Sequence, residues 1–92
     1  DYFLLFRLRG DVPPEAHDSL FCGVNDDEPA ETHLNGKSFW SWSVGAPGKG
    51  QFQRLRVYQL KKGKNVIRIA PRESLSLDLI AVTRDPGAFE TR

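Results

Sequence analysis

The sequence predicts an all-β domain, an antiparallel sandwich of two stacked sheets. Helical periodicity is absent along the whole chain. Six or seven short apolar stretches are separated by clusters of Gly, Pro, Asn and Asp, a spacing that belongs to sandwiches and barrels. Several of those stretches alternate apolar and polar residues with period two, as strands with one buried face do.

The elements follow in order. Tyr2 to Arg9 opens the chain, with Tyr2, Leu4, Phe6 and Leu8 on one face and Arg7 and Arg9 marking the solvent side. Gly10-Asp11-Val12-Pro13-Pro14 breaks pairing, because proline lacks the ladder donor. Ser19 to Asn25 is the second strand, with Leu20, Cys22 and Val24 inward. Residues 25–37 are polar and turn-rich, and Asn35-Gly36 suits a tight turn with positive φ. Phe39 to Val44 sets Trp40, Trp42 and Val44 on one face and Ser41 and Ser43 on the other. Two tryptophans on one strand face predict core for Trp42, with Trp40 nearer the edge.

Gly45-Ala46-Pro47-Gly48-Lys49-Gly50 reads as an exposed, flexible connection. Phe52 to Leu60 reads as a longer strand whose parity slips, so a bulge or break is expected near Tyr58. Lys61 to Asn65 is a turn and Val66 to Ala70 a strand. After the Arg72-Glu73 corner, Leu77 to Thr83 is apolar on both faces, which predicts a central position in a sheet. Arg84-Asp85-Pro86-Gly87 closes the domain.

Ninety-two residues make one domain, in which roughly 60–65% of the unfolded surface can be buried. Apolar content of 39%, with two Trp, six Phe and two Tyr, is enough for one modest core. The formal net charge is +1, with both signs interspersed, so no global field gathers nucleic acid. No apolar run approaches the ~20 residues of a membrane-spanning helix, and no signal-peptide pattern is visible. A start one residue before an apolar strand reads as a fragment of a larger protein, with any targeting signal upstream. Cys22 has no partner for an internal disulfide and reads as a small buried hydrophobe.

Several groups invite a chemical reading. Arg72, Glu73 and Asp78 form a charged corner, read as a structural ion pair or, for Asp78, as one oxygen ligand of a hard cation. Calcium takes six to eight oxygens, so Asp78 alone does not make such a site. Sugars present C–H faces that stack on aromatic rings and hydroxyls that need planar polar partners. Trp40, Tyr2 and Tyr58 are the aromatic candidates, and Asn35, Asp18 and Arg72 the polar ones. His17 and His33 have no companion at metal spacing and read as solvent-facing. Asp26-Asp27-Glu28 reads as a solvated acidic loop. Arg54 and Arg56, beside Phe52 and Tyr58, raise a nucleic-acid face as a minor alternative. No nucleophile elbow, CxxC, P-loop or HExxH occurs, so no catalytic residue is nominated.

Five segments in order carry a resemblance. Tyr2-Phe3-Leu4-Leu5-Phe6-Arg7-Leu8-Arg9, Asp18-Ser19-Leu20-Phe21-Cys22-Gly23-Val24 and Phe39-Trp40-Ser41-Trp42 come first. Leu60-Lys61-Lys62-Gly63-Lys64-Asn65-Val66-Ile67-Arg68-Ile69 and the Arg72-Glu73 … Leu77-Asp78 ending complete them. Together they resemble carbohydrate-binding modules of the family 6 and 35 type, with Asn65 where those modules carry a hairpin histidine. The resemblance implies a galactose-binding-like jelly roll lacking its leading strands, extracellular or at the cell surface. It implies a structural calcium ion with Asp78 among its ligands, and polysaccharide as partner for a parent polypeptide. The other expectation, from a different class, is a structural or assembly sandwich of a larger secreted or surface protein without a sugar site.

Overall fold

The computed structural model describes residues 2–13 and 17–88. Within the predicted break, Pro14 lies outside the described residues. Six strands form: β1 (Phe3–Gly10), β2 (Ser19–Val24), β3 (Ala30–His33), β4 (Ser41–Val44), β5 (Ile67–Pro71) and β6 (Leu75–Thr83). They make two three-stranded antiparallel sheets, ordered β4-β1-β6 and β3-β2-β5. The sheets pack together through the inward rows of the two central strands. Leu4, Phe6 and Leu8 of β1 meet Leu20, Cys22 and Val24 of β2, joined by Leu34 and Tyr58. The inward rows read from these two strands therefore hold, because period-two apolar rows are the cheapest way to empty one face of water. Leu5 on the other row of β1 and Ser19 on the other row of β2 are buried as well.

One margin of the sandwich is sewn shut. His33 and Ala46 exchange backbone hydrogen bonds of 2.9 and 2.8 Å, which ties the end of β3 to the segment after β4. The stretch from Gly45 was expected to be exposed; instead Gly45 and Ala46 are buried. The reason is close approach: a Cβ at Gly45 would lie 2.5 Å from the Thr32 Cγ2. Small residues let the two layers meet here.

At the other margin run β5 and β6, joined by Arg72, Glu73 and Ser74. Asp78 is the extra residue of a β-bulge in β6, since the register shifts between Arg7, opposite Leu79, and Leu8, opposite Leu77. The bulge reconciles both halves of β6 with the core face. Leu75 and Leu77 pack on the core, and beyond the bulge Ile80 and Val82 face the same side, opposite Phe6 and Leu4.

Four expectations are corrected. β6 is an edge strand, not a central one: among the described residues its neighbour is β1. The segment 51–60 contains no strand; Tyr58 makes a single bridge to Tyr2, with backbone hydrogen bonds of 2.9 and 2.8 Å. Among the described residues positive φ falls at Asn25 (57°), Gly50 (79°) and Gly63 (94°), not at Asn35 or Gly36. Asn25 starts the turn after β2 and holds it by accepting from Val66 N (2.9 Å) and donating to Asn65 Oδ1 (3.0 Å). Lastly, β4 faces the opposite way from the expectation. Its serines point inward, Ser43 opposite Phe6 and Ser41 opposite Leu8, and Trp42, half-buried, is on the other face opposite Arg7.

Candidate functional site

The outward face of the β4-β1-β6 sheet carries the most distinctive surface chemistry. Arg7 and Arg9 project there because they alternate with the core residues of β1. Trp40, immediately before β4, lies against both: their guanidinium carbons are 5.4 and 5.5 Å from its ring centroid. Cation–π attraction of this kind is worth about 0.5–1 kcal/mol at exposed sites and holds an indole in place. Arg7 also donates to Asp78 Oδ2 at 2.7 Å, so the bulge that displaces Asp78 delivers a carboxylate to the same surface. Trp40 keeps 36% of its surface exposed, and its neighbour Phe39 is more exposed still. An aromatic ring, two guanidinium groups and a carboxylate thus share one open face.

A second cluster sits at the corner before β6. Arg72 donates to Ser19 Oγ (2.6 Å) and pairs with Glu73 (3.0 Å) and Glu31 (2.9 Å). Glu73 Oε1 accepts from Ser19 Oγ (2.6 Å) and from the backbone N–H groups of Ser19 (3.0 Å) and Asp18 (3.1 Å). Burial raises the Glu73 pKa, but these donors and the charge of Arg72 outweigh it and leave the carboxyl below its usual range. His33 joins through Glu31 at 3.1 Å. This network clamps β2, β3 and the β5–β6 corner, the structural ion pair that the sequence predicts for Arg72 and Glu73.

The predicted ligand residues therefore separate. Trp40 is on the open sheet face. Arg72 is engaged in the clamp. Asp18 is buried, accepting from Gly36 N at 3.3 Å; burial raises its pKa, and the Gly36 hydrogen bond and the charge of Lys49 only partly offset this. Tyr58 is core, with its hydroxyl inside near Cys22 and Thr32; burial, then Cys22, drives its pKa upward. A buried phenol cannot stack on a ligand in solvent, so Tyr58 is removed from the candidates. Tyr2 is half-buried, with Arg84 above its ring (5.1 Å) and on its hydroxyl (3.1 Å). Asn35 borders a cavity of about 260 Å³ with Ser43, Val44, Phe52, Leu55, Pro86 and Gly87.

The histidines are not fully solvent-facing either. The His33 side chain is largely buried beside Glu31, and His17 Nδ1 lies within hydrogen-bond distance of the Asp11 and Pro13 carbonyls. The acidic loop Asp26-Asp27-Glu28 is exposed as expected. Arg54 and Arg56 do not share a strand face with Phe52 and Tyr58; Arg56 instead donates to Glu31 O at 3.0 Å and ties the loop to β3. For calcium, the residues present fit poorly. Asp78 is committed to Arg7, and no group of three or more acidic, His or Cys side chains gathers for a metal among the described residues. A cation at Asp78 would have to compete with Arg7 and draw its other oxygens from groups other than clustered carboxylates.

Arg7 and Arg9 are the site residues that sequence reasoning passed over. They read as markers of the solvent face, which they are; only the placement of Trp40 across them shows a shared surface. Compared with profiles of known protein families, with curated proteins and with solved structures, the chain finds no significant match. No helix among the described residues is long and apolar enough to cross a membrane.

Proposed function

We propose that this domain is a non-catalytic carbohydrate-binding module, on a galactose-binding-like jelly roll, that holds a parent secreted or surface protein on polysaccharide. Trp40 carries the reading. It offers an exposed indole to the C–H face of a sugar ring, with Arg7, Arg9 and Asp78 beside it as planar hydrogen-bonding groups for hydroxyls. One stacking ring and a few hydrogen bonds support roughly 5–6 kcal/mol, or high-micromolar binding. The observation behind a second reading, a structural or assembly domain, is the apolar exposure of β6 at Leu79, Ile80 and Val82.

Glycan-array screening followed by isothermal titration, with Trp40→Ala as control, separates the two. The module reading expects binding to at least one polysaccharide and a loss of at least about ten-fold in Trp40→Ala, with an unchanged melting curve. Binding that survives Trp40→Ala removes this surface. Failure to bind any glycan leaves the assembly reading.

A further inference from the structure

We infer that β6 is an interface strand, and that its occupant is β6 of a second copy of this chain, paired antiparallel across a two-fold axis at Ala81. Three observations lead there. First, β6 is the longest strand of the protein at nine residues, yet it lies at a sheet edge, with β1 as its neighbour among the described residues.

Second, its far half, Leu79-Ile80-Ala81-Val82-Thr83, has no charge, proline or glycine to blunt that edge. Leu79, Ile80 and Val82 are 51%, 37% and 46% exposed. Edge strands that stay unpaired in solution are commonly blunted by lysine, proline, a bulge or a covering segment. Here the bulge at Asp78 guards only one end of the apolar run.

Third, the run is complementary to itself in charge as well as in shape. Antiparallel pairing centred on Ala81 sets Ile80 opposite Val82 of the second copy and Leu79 opposite Thr83. One step further out it sets Asp78 opposite Arg84, and the two-fold axis repeats that opposite-charge pair at the other end. Cross-strand pairs of opposite charge stabilise a register, and like charges there would forbid it. Asp78 meets Arg7 through Oδ2, and a carboxylate has acceptor sites for a second guanidinium. The product is a six-stranded sheet, β4-β1-β6-β6-β1-β4, in which β6 occupies the central position that its two-sided apolar sequence predicts. The inference stands apart from the glycan reading, since a dimer could present two Trp40 surfaces or none that binds sugar.

The test is sedimentation velocity on the 92-residue chain from about 1 to 1,000 μM, repeated with Val82→Lys. Val82 is half exposed, so the variant should keep the wild-type circular dichroism. A concentration-dependent dimer is expected, with a dissociation constant raised at least about ten-fold in Val82→Lys. An Ala81→Cys variant supplies an independent readout. Residues opposite one another in antiparallel pairs have Cα atoms about 4.5–5.5 Å apart, within disulfide reach. Oxidation should give a covalent dimer, while Cys22 stays out of reach in the core. A monomer at every concentration would leave β6 to a strand from elsewhere and overturn the inference. A dimer unaffected by Val82→Lys, or one that Ala81→Cys fails to cross-link, overturns it equally.

Discussion

The two margins of this sandwich use similar residues to different ends. At the β3/β4 margin, Leu34 is fully buried, Thr32 touches the Gly45 backbone region, and the His33–Ala46 backbone pair closes the seam. Ser43 Oγ accepts from Asn35 N at 2.8 Å, which satisfies one hydroxyl of the inward row of β4, while Ser41 Oγ is buried with no hydrogen-bond partner. At the β5/β6 margin, Ile69 lies opposite Cys22, and Ile80 and Val82 opposite Phe6 and Leu4, so all three face the core side. Yet they are 36%, 37% and 46% exposed. Direction within a strand does not by itself bury a side chain. Burial needs a second layer over it, and at the β5/β6 margin that layer partly covers Ile67, Leu75 and Leu77 but leaves Ile69, Ile80 and Val82 open.

That contrast can be broken by paired truncations. Leu34→Ala at the closed margin should cost about 2–5 kcal/mol, because the cavity left behind is walled on every side. Chemical denaturation measures it; a cost equal to that of Ile69→Ala would mean that the margins do not differ. Gly45→Ala should cost about 1–3 kcal/mol, since the new methyl must push Thr32 and the layer beneath it. A neutral result would show that the seam is looser than the 2.5 Å approach implies.

The polar clamp sharpens the comparison, because it ties the open margin at one end. Glu73→Gln should cost about 1–3 kcal/mol near neutral pH by disturbing charged hydrogen bonds from Ser19, Asp18 and Arg72. The folded-state pKa of Glu73 lies below its ordinary 4.5. Its contribution is therefore fully present above that value and is lost as pH falls through the lower folded pKa. Wild type and Glu73→Gln should thus converge in stability on acidification; a constant gap would contradict the clamp. The smallest effect belongs to Ile69→Ala, below about 1 kcal/mol in the monomer, because much of its side chain is already wet.

Much of the architecture was legible from residues alone. The inward rows Leu4-Phe6-Leu8 and Leu20-Cys22-Val24 follow from alternation, and the Arg72-Glu73 corner follows from charges that need partners. The readings that failed share a cause. Phe52 to Leu60 looks like a strand because it is rich in apolar residues, but its backbone partners are scattered: Arg56 N reaches Gly45 O, while Tyr58 pairs with Tyr2. Trp42 looks like core by size, but β4 turns its serines inward and sets the indole, half-buried, on the other face opposite Arg7. Of the candidate site, Trp40 was legible as an aromatic near an edge. Its guanidinium neighbours were not, since they come from a strand more than thirty residues away.

What the amino-acid order determined by itself is the period-two backbone of this protein: extended segments, their turns, and which side of each central strand shuns water. Those properties are local, set by φ/ψ preference and by alternation along a few residues. Only the tertiary structure decided which strands stand at the edges, where the two layers touch, and which aromatic ring stays in solvent. Those depend on contacts between distant segments, and a strand's sequence is the same whether a neighbour covers it or water does.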